Sequence, residues 1–148
     1  MQLSNDLTLI KDVSKIDMQE IEPIMILEDL SRWNLKPEDF FVIKNKDKNI
    51  VAFGRIYTIW EHFKELSSLW VDPNLRWQKL WIYLSEQLIS FKKWDDELYL
   101  ATEANLWKYY TLLWFEIIAL EDAPSKFHQT ASWARENGID FIIMKYMG

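Results

Sequence analysis

Apolar residues recur along the chain with two periods, and the alternation between them predicts a mixture of strands and helices. Runs rich in β-branched and aromatic residues predict strands at 8–13, 40–43, 50–59, 65–71, 98–101, 115–120 and 140–146. Apolar residues spaced three or four apart predict helices at 79–93, 105–113 and 130–136. A further helical pattern covers 17–30, and Pro23 should split it into two short helices because proline cannot donate a backbone hydrogen bond.

The connections between these elements predict an α/β fold. The polar segment 45–49 joins two predicted strands as a hairpin. The strand–helix–strand unit at 65–102 should form a parallel pair, because strands joined through a helix usually run in the same direction. No linker, repeat or low-complexity segment interrupts the pattern, so we expect a single domain over residues 1–148.

Composition removes several classes of protein. The apolar fraction of 49% and the net charge of −6 are those of a folded chain. Cysteine is absent, which excludes disulfide scaffolds and thiolate metal sites, and no His, Asp or Glu group has metal-ligand spacing, so no metal is expected. The N-terminal residues lack the features of a signal peptide, and no apolar run is long enough to span a membrane. We therefore expect a cytoplasmic protein with no membrane partner.

Charge argues against nucleic acid as a partner. Residues 1–74 carry 9 basic and 13 acidic side chains, and residues 75–148 carry 8 and 10, so neither half is basic. Tryptophans could stack on bases or sugars, but single-strand platforms normally include a positive groove, which is missing here. The acidic residues Glu61, Glu103 and 95–97 could attract an amine, although such runs are more often solvated. His62 and His128 are best interpreted as lone surface histidines.

One segment carries candidate chemistry. Residues 69–84 form a predicted strand, an Asp-Pro-Asn turn, and a loop that leads into a helix N-terminus. Such a loop can present successive backbone N–H groups to an anion, assisted by the helix dipole. The same pattern also fits an ordinary strand–loop–helix connection.

This segment resembles the acetyl-CoA loop of the GNAT superfamily of acyl-CoA-dependent N-acetyltransferases, which reads Gln/Arg-x-x-Gly-x-Gly/Ala after a strand ending in Val-x-Pro. Arg76 occupies the first position, Lys79 replaces the first Gly and Trp81 replaces the last Gly/Ala. Residues 105–115 resemble the later motif of the family, an Asn followed by Tyr-x-x-x-Gly-Phe, and 52–55 resemble its third strand. The resemblance covers about residues 7–146 and implies a GNAT fold: a central mixed, mostly antiparallel sheet of about seven strands, including a parallel splayed pair, flanked by about four helices.

The resemblance also implies a cofactor site and a reaction. Acetyl-CoA would be the co-substrate, and an amine of a small molecule, amino acid or protein would attack its thioester directly. The cofactor-binding residues implied are Leu69, Trp70, Val71, Arg76, Trp77, Gln78, Lys79, Leu80, Trp81, Ile82 and Asn105. Most would act through the backbone, with 69–71 pairing with pantetheine and 77–82 holding the pyrophosphate. Family members are often dimers, so a monomer or a homodimer is expected.

Two side chains match catalytic positions of the family. Glu65, six residues before Val71, matches the general base of some members, and an anchor for the substrate amine or a surface carboxylate is an equal alternative. Tyr110, five residues before Phe115, matches the tyrosine that protonates the leaving thiolate. A core aromatic is the alternative for Tyr110, and Tyr109 is its neighbouring substitute.

Tryptophan stands where the family prefers glycine. The chain has 3 Gly and 9 Trp, whereas average usage of about 7% predicts roughly ten Gly. Seven Trp fall at positions where glycine would be expected: Trp33, Trp60, Trp77, Trp81, Trp94, Trp107 and Trp114. With Gly at these seven positions, the chain would have 10 Gly and 2 Trp. Trp70 and Trp133 are expected to be genuine aromatics.

The hypothesis is an alternative genetic code in which UGA encodes glycine but was translated as tryptophan. Four Gly-demanding sites (77, 81, 107 and 114) filled by Trp should cost on the order of 4–12 kcal/mol through overpacking and strain, comparable with a total stability of about 5–15 kcal/mol. The alternatives are a Trp-rich protein with drifted loops and, in function, a non-catalytic GNAT-fold binding module whose CoA site is blocked by Trp77 and Trp81.

Overall fold

A computed structural model describes residues 2–148, apart from the side chain of Trp77. Seven strands and four α-helices alternate along this part of the chain, together with short 3-10 turns. The strands are β1 Leu7–Ile10, β2 Phe40–Asn45, β3 Ile50–Trp60, β4 Phe63–Val71, β5 Glu97–Glu103, β6 Phe115–Ile118 and β7 Phe141–Tyr146. The helices are α1 Lys15–Leu27, α2 Leu80–Ile89, α3 Trp107–Thr111 and α4 Lys126–Glu136.

The strands form one mixed sheet in the order β1-β2-β3-β4-β5-β7-β6. The pairs β1–β2, β2–β3, β5–β7 and β6–β7 are antiparallel. The pair β4–β5 is parallel, with Glu65 opposite Tyr99. The predicted fold class, the hairpin β2–β3 and the parallel pair around α2 are therefore confirmed.

The chain divides into two compact units. Unit 1 comprises the residues up to Tyr57 together with Leu66–Phe91, and unit 2 comprises Thr58–Glu65 together with Lys92–Gly148. No helix in the described part of the chain is long and apolar enough to cross a membrane.

The core of unit 1 is built between α1 and the strands that it covers. Ile21 and Met25, one turn apart on α1, are fully buried in a cluster with Phe40, Val42 and Phe53. The helix begins with a capping box, in which Ser14 accepts from the Asp17 backbone and the Asp17 carboxylate accepts from the Ser14 backbone. Helical spacing of the apolar residues thus determines which face of α1 is buried.

Pro23 does not divide α1, and the prediction of two short helices is wrong. Pro23 lies inside the single helix, and both it and Gln19, whose carbonyl loses its donor, are exposed to solvent. Water can satisfy that carbonyl, while Ile21 and Met25 continue the buried face on both sides of the proline. Packing of the apolar face outweighs the missing hydrogen bond.

Unit 2 is built around a smaller aromatic cluster. Tyr99, Phe127 and Ile143 are buried together, and Phe63 and Ile59 pack against them. Helix α4 supplies Phe127 to this cluster. The helix begins at Lys126, four residues before the predicted start. The sequence pattern missed its first turn because Lys126, His128 and Gln129 are polar.

Several predicted ends also differ. Helix α2 ends at Ile89, so Phe91, expected on its apolar stripe, lies outside the helix and is 62% exposed. The predicted helix 105–113 is a 3-10 turn at Ala104–Leu106 followed by the short α3. Strand β1 ends at Ile10 and β6 at Ile118, where their pairing with β2 and β7 stops.

Candidate functional site

The strand that precedes the candidate loop is anchored in unit 1. Leu69 and Trp70 are partly buried, and the Trp70 indole stacks on Phe53 with ring centroids 5.4 Å apart. Val71 is buried at the end of β4, and its carbonyl accepts a hydrogen bond from Arg76 Nε at 3.1 Å. This hydrogen bond connects the loop to the end of β4, although Arg76 is an exposed residue. Trp70 is a packing aromatic, as expected.

The loop itself is a 3-10 turn, Pro73–Gln78, capped at its start. The Asp72 carboxylate accepts from the Asn74 backbone at 2.9 Å, a geometry typical of Asx turns. Gln78 is partly buried. The side chain of Trp77 lies outside the described part of the structure, so its predicted role stays a prediction.

Lys79 shows why glycine is favoured at this point of the motif. It has φ of 56° in the left-handed region and directly precedes α2. That conformation costs an L-residue about 1–2 kcal/mol, a cost that glycine avoids. The turn directs the chain into a helix that starts at Leu80, and the Ile82 N–H donates to the Lys79 carbonyl at 3.1 Å.

The first turn of α2 has the geometry of an anion site only in part. Leu80 is buried in the core, while the Trp81 and Ile82 side chains are partly exposed. The N-terminal N–H groups of a helix and its dipole favour an anion such as a pyrophosphate. Trp81 is the second residue of this helix, so a bulky indole belongs to the same turn as the N–H groups that would bind.

The suspect tryptophans do not all occupy positions that require glycine. Trp114 has φ of 70°, and it alone has a positive φ among the six suspects other than Trp77. Trp81 and Trp107 are helical, and the left-handed residues beside Trp33 and Trp60 are Asn34 and Glu61.

Burial does not separate the suspects from the expected aromatics either. The side chains of Trp94 and Trp114 are 93% and 71% exposed, so they are not overpacked. Trp133, expected to be genuine, is about as exposed as Trp33, whose ring packs on Tyr57 with centroids 5.3 Å apart. The energetic cost expected for the Gly-demanding sites is therefore too high. Among Trp81, Trp107 and Trp114, only Trp114 has the left-handed backbone that favours glycine.

The candidate general acid of unit 2 is Tyr110, which follows β5 along the chain. Asn105 is exposed in the turn after β5, and Tyr110 follows on α3. Burial raises the pKa of the Tyr110 phenol, and a hydrogen bond with the Thr102 side chain opposes the shift only in part. The phenol is therefore protonated at neutral pH, as a proton donor must be. Tyr109 is half exposed at the surface of α3.

Glu65 is a buried carboxylate with a partner that the sequence did not reveal. Its side chain is 8% exposed and forms an ion pair with Lys126 at the first position of α4. The interpretation of Glu65 as a surface carboxylate is therefore wrong. The sequence pattern did not identify Lys126, because it placed this residue outside a helix. The signal that could have identified it is the Pro124-Ser125 sequence before it, which is typical of a helix start.

Two further acidic residues of unit 2, Asp96 and Glu97, are engaged in structural contacts. Glu97 accepts from Lys145 at 2.7 Å and contacts His62 at 3.2 Å. The hydrogen bond from Lys145 outweighs burial and lowers the pKa of Glu97. Asp96 accepts from the Lys93 backbone at 3.0 Å. Asp96 and Glu97 therefore make contacts that stabilise the fold. His62 is not a lone histidine, because it contacts Glu97. His128 is exposed, as expected.

Unit 1 contains a buried cation that sequence reasoning noted only as part of a motif. Arg55 is fully buried, and its guanidinium donates to the carbonyls of Trp33 at 2.8 Å and Ser31 at 3.0 Å. Ser68, left-handed with φ of 57°, donates to the same Ser31 carbonyl at 3.2 Å. Beside Arg55, a Cβ on Gly54 would lie 3.2 Å from Leu88 Cδ1 and overlap Leu69. The Gly-Arg pair therefore serves close packing and fixes the loop at 31–33.

No group of three or more His, Cys, Asp or Glu that could hold a metal occurs within residues 2–148 as described. The candidate chemistry therefore consists of an N–H-rich helix start in unit 1 and, in unit 2, a protonated phenol and a paired carboxylate. A strand, a turned loop and a helix start in this order, within a mixed seven-stranded sheet, place the protein in the class of GNAT-like α/β folds.

Comparison with known families agrees with this class. The model of the acetyltransferase (GNAT) family matches residues 9–105, about two thirds of the chain. The chain belongs to the GNAT family. No curated protein matches the chain significantly.

Solved structures share the fold at low sequence identity. The N-acetylglutamate synthase of Neisseria gonorrhoeae, in complex with coenzyme A and N-acetyl-glutamate, has a TM-score of 0.74 at 14% identity over 97% of this chain. This chain spans only 35% of that protein. Rv2747 of Mycobacterium tuberculosis, in complex with CoA, has a TM-score of 0.74 at 12% identity, covering 94% of this chain and 98% of its own. The ribosomal-protein-S18-alanine N-acetyltransferase of Escherichia coli has 0.64 at 19% identity, covering 95% and 92%.

Proposed function

We propose that this protein transfers an acetyl group from acetyl-CoA to a primary amine of a small molecule, amino acid or protein. The observation that carries the proposal is the family match over 9–105, which includes the strand, loop and helix start at 69–82. Similar structures described as complexes with coenzyme A support an acyl-CoA co-substrate. The cofactor-binding residues are those named from the motif, acting mainly through their backbone groups.

The reaction assigns a task to each candidate side chain. A neutral amine attacks the thioester carbonyl, so that a C–N bond forms and the C–S bond breaks. The thiolate leaves with a proton, and Tyr110 supplies it because its raised pKa keeps the phenol protonated. The attacking amine loses a proton, and Glu65 either accepts it, directly or through water, or holds the ammonium in place beforehand.

The test of this function is acetyl transfer itself. The chain is incubated with acetyl-CoA and a panel of amines, amino acids and peptides, while released CoA thiol and acetylated product are measured. We expect thiol release that depends on both the acceptor and the protein. Acceptor-independent release, or none with any acceptor and any form of the chain, would overturn the proposal.

We also propose that the seven suspect tryptophans are glycine in the native protein, through UGA read as glycine. Composition and the left-handed backbone at Trp114 support this. Glycine at 77 and 81 would restore the cofactor loop of the family. The codons decide the matter: UGA at all seven sites with UGG at 70 and 133 supports recoding, and UGG at 77, 81 and 114 refutes it.

The second candidate function is a non-catalytic GNAT-fold module that binds a partner. The observation that favours it is the indole of Trp81 on the first turn of α2, beside the N–H groups that would hold the pyrophosphate. This candidate requires that the tryptophans are real and that acetyl-CoA does not bind. Tight binding of acetyl-CoA by the chain as written would eliminate it.

A further inference from the structure

Helix α1 of unit 1 is apolar on its outer side as well as on the side that faces the core. The outer face consists of four residues that recur at helical spacing opposite the buried ones: Ile16, Pro23, Ile26 and Leu27. Ile16, Ile26 and Leu27 are 71%, 59% and 82% exposed, and Pro23 is exposed as well. A surface helix normally carries polar residues on that side, so the packing of the fold does not account for this face.

The outer face also contains a backbone carbonyl that has lost its helical donor. Pro23 has no N–H, so the carbonyl of Gln19, one turn earlier, does not receive the hydrogen bond that a helix normally supplies. Gln19 and Pro23 are both exposed. The face therefore offers a hydrogen-bond acceptor among apolar side chains, and a donor on a partner can satisfy it.

The charged residues beside the outer face are mainly acidic. The exposed charged residues of α1 and of the two positions after it comprise one lysine and four carboxylates: Lys15, Glu20, Glu22, Glu28 and Asp29. Among the residues that the structure describes, none of these four carboxylates takes part in an ion pair. They are therefore available to opposite charges on a partner.

Charge decides between three kinds of occupant. A helix that lies on a lipid surface carries Lys and Arg beside its apolar face, because these attract anionic headgroups, which acidic flanks repel. A second copy docked through the same face in a two-fold dimer brings two sets of acidic flanks together. A segment with apolar residues and basic flanks matches both the exposed aliphatic side chains and the carboxylates, and its Lys or Arg supplies a donor for the Gln19 carbonyl.

We propose that the outer face of α1 is a docking surface for a basic amphipathic helix of a partner protein. A helix is the element that packs along another helix, with the side-chain ridges of one in the grooves of the other. The proposal goes beyond acetyl transfer, because this docking needs neither acetyl-CoA nor an acceptor amine. No suspect tryptophan lies on α1, so the surface is the same whichever residue their codons specify.

The experiment measures the binding of two matched synthetic peptides to the full chain by fluorescence anisotropy, at about 0.15 M salt. Both peptides are labelled amphipathic helices with leucine at helical spacing, and their polar positions are all lysine in one and all glutamate in the other. We expect the lysine peptide to bind at least about tenfold more tightly than the glutamate peptide. Equal binding of the two, or no binding of the lysine peptide, would overturn the proposal.

Variants on two surfaces show whether α1 is the site. Ile16→Gln/Leu27→Gln removes two aliphatic side chains from the outer face but keeps a good helix former, so it should weaken binding of the lysine peptide about tenfold or more. As a matched control, Leu112→Gln/Ile117→Gln removes an exposed Leu and an exposed Ile from unit 2 and should leave the affinity unchanged. Equal affinities in the two double variants would contradict the assignment to α1.

Pro23→Ala tests the carbonyl without destabilising the helix. It restores the donor for Gln19, so it should weaken binding of the lysine peptide about two- to tenfold. Unchanged or tighter binding would refute the role given to this acceptor.

Two further measurements distinguish the other occupants. Sedimentation of the chain alone should give the same species with and without Ile16→Gln/Leu27→Gln, and a dimer that dissociates in this variant would replace the partner with a second copy. Vesicles of phosphatidylcholine and phosphatidylserine should not bind the chain. Vesicle binding that this variant abolishes would replace the partner with a lipid surface, and either result overturns the proposal.

Discussion

The backbone at Trp114 provides the sharpest stability prediction, because its φ of 70° is unfavourable for every residue with a Cβ. Trp114→Gly and Trp114→Ala both delete the indole, so its contacts cancel in the comparison. Alanine keeps a left-handed cost of about 1–2 kcal/mol, whereas glycine loses about 0.5–1 kcal/mol through its freer unfolded chain. The glycine variant should therefore be more stable than the alanine variant by about 0.5–1 kcal/mol.

Trp107 is the matched control for this comparison. It is also partly exposed, but its φ of −56° and ψ of −35° are helical. In a helix glycine is less stable than alanine by about 0.8–1.0 kcal/mol. The sign of the glycine–alanine difference should reverse between the two positions. Urea unfolding monitored by circular dichroism gives the four free energies of unfolding, provided that the m-values agree.

One result would refute the reasoning. An alanine variant at position 114 that is as stable as the glycine variant, or more stable, would mean that the left-handed backbone is not maintained there. The structural support for glycine at that site would then be lost, whatever the codons show.

Three further predictions concern catalysis and stability. Tyr110→Phe should lower kcat about 10²–10⁴-fold if the phenol protonates the thiolate. In the parent protein, kcat should fall only above about pH 10, because the pKa of Tyr110 is raised. An unchanged kcat in the variant would assign Tyr110 to the core. Burial raises the pKa of Asp17, but hydrogen bonds from Lys44 and Ser14 outweigh it and lower the pKa overall. The folded value then lies below the unfolded one, so Asp17 stabilises above about pH 4. Asp17→Asn should cost about 1–2 kcal/mol at pH 7, and the two free energies of unfolding should converge as the pH falls through the folded pKa; a gap that is independent of pH would contradict this. Pro23→Ala should raise the free energy of unfolding by about 2–3 kcal/mol. A helix-interior proline costs about 3 kcal/mol relative to alanine, and the freer unfolded chain of the alanine variant offsets up to about 1 kcal/mol of this. No gain in stability would mean that the helix already compensates for the proline.

Periodicity was sufficient to predict the seven strands, because strand and helix periods are properties of local sequence, whereas the arrangement of the strands in one sheet was implied by the family resemblance. It failed at Pro23, where packing of Ile21 and Met25 outweighs a local rule. It also failed at the start of α4, where the residues that face solvent carry no periodic signal. Both errors arise where tertiary contacts decide the ends or the continuity of an element.

The candidate site was predictable only as far as its motif. The loop, Glu65 and Tyr110 were singled out through their match to the motifs of the family, and their roles stay predictions. Lys126 was not singled out, since it is 61 residues from Glu65 and the contact exists only in the folded chain. The burial of Arg55 under residues 31–33 is likewise a property of the fold rather than of its neighbours in sequence.

The most direct test of the account is a calorimetric titration of acetyl-CoA into two forms of the chain. One form is the sequence as written, and the other carries glycine at all seven suspect positions. We predict that the glycine form binds acetyl-CoA at least about tenfold more tightly, because the Trp81 indole no longer stands beside the first N–H groups of α2. Equal affinity in the two forms, or no binding by the glycine form, would contradict the account.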